Sequence, residues 1–119
     1  MNIESLIKRN LTKDLLLDKY IGKHPLSGYC YVASEAYYHL SGGKAAGLKP
    51  YSVRISKDIV HWFIKNDKDE IIDLTAEQFD YFDFKIPYQD ARARGFLTKY
   101  PSKRAVLLMN KVNDRSNNL

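Results

Sequence analysis

The sequence predicts an α+β domain: N-terminal helices, one of them headed by Cys30, packed on a three-stranded antiparallel sheet, with a C-terminal helix. Three observations carry this. Val32, Ala33, Ala36, Tyr37 and Leu40 recur at spacings of three and four, the signature of an amphipathic helix over 29–40. The period then drops to two, where Tyr51, Val53 and Ile55 alternate with Ser52, Arg54 and Ser56. Turn chemistry bounds these runs, as Gly42-Gly43 and as Asn66-Asp67-Lys68. At 119 residues the chain fits one domain, expected over 1–112, with a polar, disordered tail over 113–119.

Taken in order, residues 2–9 read as a short helix with Ile3, Leu6 and Ile7 on one side. Thr12 is a good N-cap for a second helix carrying Leu15, Leu16, Leu17 and Tyr20, which Gly22 ends. The stretch His24-Pro25-Leu26-Ser27-Gly28 is a loop by composition, and the helix over 29–40 follows it. Strands are expected over 51–56, 59–65 and 70–74 as a meander. Thr75 caps a short helical stretch over 76–79. Residues 80–100 are aromatic and irregular, and Tyr81, Phe82 and Phe84 supply packing for the sheet. Ser102 or Thr98 caps a last helix containing Ala105, Val106, Leu108, Met109 and Val112.

Composition narrows the function classes. No apolar run approaches the ~18 residues of a membrane span, and Met1-Asn2-Ile3-Glu4 lacks a basic-then-apolar leader pattern. One cysteine excludes an intramolecular disulfide and a four-thiolate zinc site. The expected setting is a reducing cytoplasm, without a membrane partner. No phosphate-cradling glycine loop and no GxSxG elbow occurs, and Gly42-Gly43-Lys44 lacks the Walker spacing. Neither a metal nor a cofactor is expected. The net charge of +5 is modest and collects late in the chain, in Arg92, Arg94, Lys99, Lys103 and Arg104. That group reads as a solvated face or as a patch for an anionic partner.

Cys30, His61 and Asp73 carry the chemistry. Thiol, imidazole and carboxylate in that order are the parts of a thiol nucleophile with its base and orienting acid. A hairpin loop centred on Asp67 sets His61 opposite Asp73, Phe63 opposite Ile71 and Lys65 opposite Asp69. Val60, Trp62, Ile64, Ile72 and Leu74 then form an apolar face, which is expected to be the buried one. A slip by one residue would move Asp73 onto that face opposite Trp62, burying an unpaired carboxylate. Directly opposite Cβ atoms lie about 4.5–5.5 Å apart, a workable separation for a His–Asp hydrogen bond. At a helix N-terminus, the unpaired N–H groups and the dipole favour a Cys30 thiolate. His39 lies nine residues along the same helix, about 13.5 Å away, so His61 is the better base.

Each of these residues also has a plainer reading. Cys30 is equally a small buried apolar side chain. His61 is equally a half-buried strand histidine, and Asp73 a turn cap beside Thr75. His24 either helps bind an oxyanion or makes a turn hydrogen bond. Tyr29 and Tyr31 line a pocket or cover the helix, and Trp62 belongs to the core or to a substrate platform.

Residues 24–75 resemble the papain-like superfamily of thiol enzymes, taken broadly to include its transglutaminase-like and NlpC-type branches. Gly28 stands two before the cysteine and the aromatic Tyr31 directly after it, followed by the small pair Ala33-Ser34. His61 heads a strand, the acid comes from the next strand, and Asp73-Leu74-Thr75 is similar to the Asp-x-Thr of transglutaminase-like proteins. In papain a glutamine oxyanion donor stands six before the cysteine; His24 occupies that place here. The spacing from Cys30 to His61 is shorter than in papain and nearer to compact branches. Most of the chain also resembles small uncharacterised phage and bacterial proteins. They share Gly-x-Cys-Tyr-Val-Ala-Ser-Glu-Ala, His-Trp-Phe, Asp-Leu-Thr and a segment like Gly95 to Ala105.

The first resemblance implies a cysteine-dependent acyl-transfer enzyme with Cys30, His61 and Asp73 as its triad. Its substrate would be a protein or small-molecule amide, ester or thioester. The alternative is a non-enzymatic basic binding protein, such as a phage factor contacting a host protein or nucleic acid through the C-terminal third.

Overall fold

The computed structural model describes residues 2–11, 29–57, 59–76, 85–96 and 100–117, with side chains to 114. The order is α1 (Ile3–Arg9), α2 (Tyr29–Leu40), a 3-10 turn (Gly43–Ala46), β1 (Lys49–Ser56), β2 (Ile59–Lys65) and β3 (Ile71–Ile72). A second 3-10 turn (Tyr88–Asp90), β4 (Arg92–Ala93) and α3 (Lys103–Asn117) complete it. The class is α+β, as the sequence predicts. The expected helix over 12–22, the loop with His24, most of the stretch over 76–79, and Tyr81 to Phe84 lie outside the described residues. Among the described residues no helix is long and apolar enough to cross a membrane.

The helices form where their ends and faces dictate. Asn2 caps α1 by accepting the Ser5 N–H at 2.8 Å. Leu6 and Ile7 are buried from that helix, Val32, Ala33 and Ala36 from α2, and Ala105, Leu108 and Val112 from α3. These residues, with Leu74, are one contiguous cluster, so the three helices pack on one another around the small residues of α2. Ser102 is the cap of α3: its hydroxyl accepts the Ala105 N–H at 3.2 Å. The helix continues to Asn117, through the first residues of the stretch read as a polar tail.

Among the described residues the sheet has four antiparallel strands in the order β3-β2-β1-β4, one more than expected. β4 is two exposed residues at an edge, pairing Tyr51 with Ala93 and Ser52 with Arg92. So short and charged a strand carries no period-2 signal.

The hairpin register differs from the expected one by two residues. Ile64 pairs with Ile72 and Lys65 with Ile71, and β3 ends there. The cause is the turn. Asn66 Oδ1 accepts the N–H groups of Lys68 and Glu70 at 3.0 and 2.9 Å. The Asn66 N–H donates to the Glu70 carbonyl at 3.1 Å, and Asp69 takes the left-handed conformation at φ 62°. The loop is thereby centred one residue later than Asp67, which moves the pairing by two. A shift of two preserves the faces. The Lys65–Asp69 ion pair still forms, at 3.2 Å.

The expected burial of the two faces is corrected. Val60 is exposed and Trp62 half-buried, whereas His61 and Phe63 are fully buried along with Ile64. The imidazole side is covered because Phe63 stacks on Tyr51 and meets the edge of Tyr88. At the other end of the hairpin, Gly47 at φ 79° ends the first 3-10 turn. A Cβ there would come within 2.8 Å of Asp67 Cβ, so only glycine lets the turn lie against the hairpin tip.

Candidate active site

Cys30 is the second residue of α2, as the sequence predicts. β3 covers β2 only at Ile64 and Lys65, and the thiol donates to the Val60 carbonyl at 3.6 Å. The N-terminus of α2 thus lies beside the part of β2 that β3 does not reach. The cysteine is 6% exposed.

The next residue on β2 brings the ring. His61 Nε2 lies 2.6 Å from Asp73 Oδ2, and the two side chains are 1% and 4% exposed. Asp73 is not directly opposite His61. By the register it falls across from Phe63, just past the end of β3, and reaches the imidazole along the diagonal. The Cys30 side chain also hydrogen-bonds the ring. Thiol, imidazole and carboxylate are therefore gathered from α2, β2 and the end of β3.

Electrostatics follow from this placement. Burial alone pushes His61 down, because desolvation disfavours the charged ring. The hydrogen bonds to Asp73 and Cys30, with their charges, outweigh it and raise His61 from the ordinary 6.5 to about 9. The ring is an imidazolium at neutral pH.

Asp73 is held on both oxygens. Oδ1 accepts the Thr75 N–H at 3.2 Å, the contact of a turn cap. Oδ2 accepts from His61 and also from the Tyr88 hydroxyl at 2.7 Å. Tyr88 was missed by sequence reasoning. It sits on a 3-10 turn in a stretch without periodicity, and no local pattern announces its reach to Asp73. The Thr75 hydroxyl is buried without a hydrogen-bond partner among the described residues.

The flanking candidates divide. Tyr31 meets Trp62 edge-on at 4.9 Å, and both contact Phe96, at 5.6 and 6.0 Å. These half-buried rings form one aromatic group, in which Tyr31 and Trp62 follow Cys30 and His61 in sequence. Tyr29 packs instead against the helical core. His24 and Lys99 lie outside the described residues. Of the basic candidates, Arg92 and Arg94 are exposed at β4, whereas Lys103 and Arg104 are in the first turn of α3. Among the described residues no group of three or more His, Cys, Asp or Glu side chains converges as a metal site requires.

A second buried carboxylate, also missed, stands five residues after Cys30. Glu35 is wholly buried. It accepts the Ser102 N–H at 2.9 Å and the Ser102 hydroxyl at 2.7 Å. It supplies acceptors at the start of α3, whose first turn carries Lys103 and Arg104 and no acidic residue. The segments around Glu35 and Ser102 thus meet in space. Comparison with protein-family models, with curated proteins and with solved structures finds no match to this chain.

Proposed function

We propose that the protein is a cysteine-dependent acyl-transfer enzyme, a compact member of the papain-like and transglutaminase-like thiol enzymes. The reading rests on one observation: a single buried imidazole joined to Asp73 at 2.6 Å and to the Cys30 side chain. In this mechanism the Cys30 thiol proton passes to His61, forming the imidazolium, and the thiolate Sγ attacks the carbonyl carbon of an amide, ester or thioester. The developing oxyanion is met by backbone N–H at the start of α2. The His61 imidazolium gives its proton to the leaving group as the carbonyl re-forms, leaving an acyl-Cys30. The neutral ring then takes a proton from water or an acceptor nucleophile, which displaces the thiolate. Asp73 keeps the ring oriented throughout.

Alkylation by iodoacetamide tests this. An ordinary thiol reacts only as the pH approaches its ~8.5 pKa. Cys30 is expected to react already at pH 6.5, and His61→Ala to slow that reaction at least tenfold. Equal rates in the two proteins at that pH, or no reaction until pH 8.5, would remove the enzyme reading.

A basic binding role draws support from the exposure of Arg92 and Arg94 at the sheet edge. It requires nucleic-acid affinity that falls steeply with salt; absence of binding at low salt eliminates that version.

A further inference from the structure

Asp73 Oδ2 has two donors, and the second has no part in the triad. We propose that Tyr88 is a positioning residue, whose hydroxyl shares Asp73 Oδ2 with His61 and so sets both the angle of the carboxylate and the charge that the ring receives from it. This rests on the acyl-transfer reading above.

The geometry is specific. The Tyr88 hydroxyl is 2.7 Å from Oδ2 and His61 Nε2 is 2.6 Å from the same atom, while Oδ1 is occupied by the Thr75 N–H. The carboxylate cannot rotate without breaking a bond at each oxygen. The Tyr88 ring is fixed edge-on to Phe63 at 5.0 Å between centroids, and Phe63 lies stacked at 6.2 Å from the imidazole. One rigid path therefore runs from the second 3-10 turn to the base.

A hydroxyl donating to a carboxylate oxygen disperses the charge that the oxygen offers elsewhere. Tyr88 therefore weakens the hold of Asp73 on the imidazolium. Too strong a hold would be harmful, since this ring must release its proton to a leaving group. Among the described residues, the ionisable groups that meet the ring are Cys30 from α2 and Asp73 from the end of β3. From β1, its cross-strand partner is the apolar Val53.

The test compares the wild type with Tyr88→Phe, Asp73→Asn and the double variant. His61 is titrated by imidazole NMR, and Cys30 by the pH profile of iodoacetamide alkylation. Tyr88→Phe keeps the ring on Phe63, and thermal unfolding verifies that the fold survives. Removing the hydroxyl is expected to raise the His61 midpoint by roughly 0.5–1 unit and to carry the alkylation profile with it. In the Asp73→Asn background the same change is expected to do nothing, because the path runs through the carboxylate.

An unchanged His61 midpoint in Tyr88→Phe, with Asp73→Asn lowering it, overturns the role of Tyr88 alone. A shift of equal size in both backgrounds overturns it too, since the tyrosine would then act by another route. If Asp73→Asn leaves the midpoint where it is, the triad reading itself fails.

Discussion

Asp73 and Glu35 are both buried acids held by donors on two oxygens, yet they serve different ends. Glu35 receives the backbone N–H and hydroxyl of Ser102, neither of which gives up a proton near neutral pH. Its effect is mechanical: it fastens the start of α3 to α2. Asp73 receives a peptide N–H, a phenol and an imidazole, and the imidazole also meets a thiol. Burial of a carboxylate therefore does not by itself mark a reactive site. The difference lies in whether its partners can transfer a proton onward.

The sharpest way to break this contrast is Glu35→Ala. It leaves the Ser102 N–H and hydroxyl unsatisfied and opens a void between α2 and α3, so about 3–5 kcal/mol of stability should be lost in urea unfolding. In the protein that remains folded, the His61 titration should not move. A shifted His61 would show that the two acids belong to one network.

Next in size is the pH dependence of the Asp73 arm. The folded value of about 9 for His61 lies above the ordinary 6.5. Its contribution is therefore complete below pH 6.5 and is lost as the pH rises through 9, by up to about 3 kcal/mol. Asp73→Asn should flatten that slope and bring the His61 midpoint down. Denaturant midpoints taken from pH 6 to 10 measure both. A stability that rises across this range would contradict the raised imidazole.

Ser102→Ala removes the cap of α3 and one of the two bonds to Glu35, for a loss of about 1–2 kcal/mol. The Ser102 N–H still meets Glu35, so the effect should stay well below that of Glu35→Ala. Smallest is Thr75→Val. It removes a buried hydroxyl without a partner among the described residues and keeps the N–H that Asp73 accepts. Stability should change by less than about 0.5 kcal/mol or rise. A loss above 2 kcal/mol would reveal that the hydroxyl has a hidden bond.

Much of this site was legible before any coordinates. The alternation of β2 puts His61 and Asp73 on one face whether the hairpin closes at one centre or the next, because a shift of two residues leaves every side chain on its own face. The start of α2 at Tyr29 was equally legible from its helical period. What escaped was set at longer range. The Asn66 side chain chose the turn, and with it the diagonal approach of Asp73 in place of a direct pair. Which face of β2 is buried depended on Tyr51 and Tyr88 packing against Phe63 beside His61, and not on counting apolar residues.

Sequence alone determined the helix that Cys30 heads, the strand that carries His61, and the shared face of His61 and Asp73. These follow from local periodicity, which acts over a few residues at a time. Tertiary structure decided the rest: the closing of the sulfur onto the ring, the arrival of Tyr88 at Asp73, and the clasp of Glu35 on Ser102. Those contacts join residues far apart in the chain, and they exist because α1, α2 and α3 pack on one another and α2 packs on the sheet.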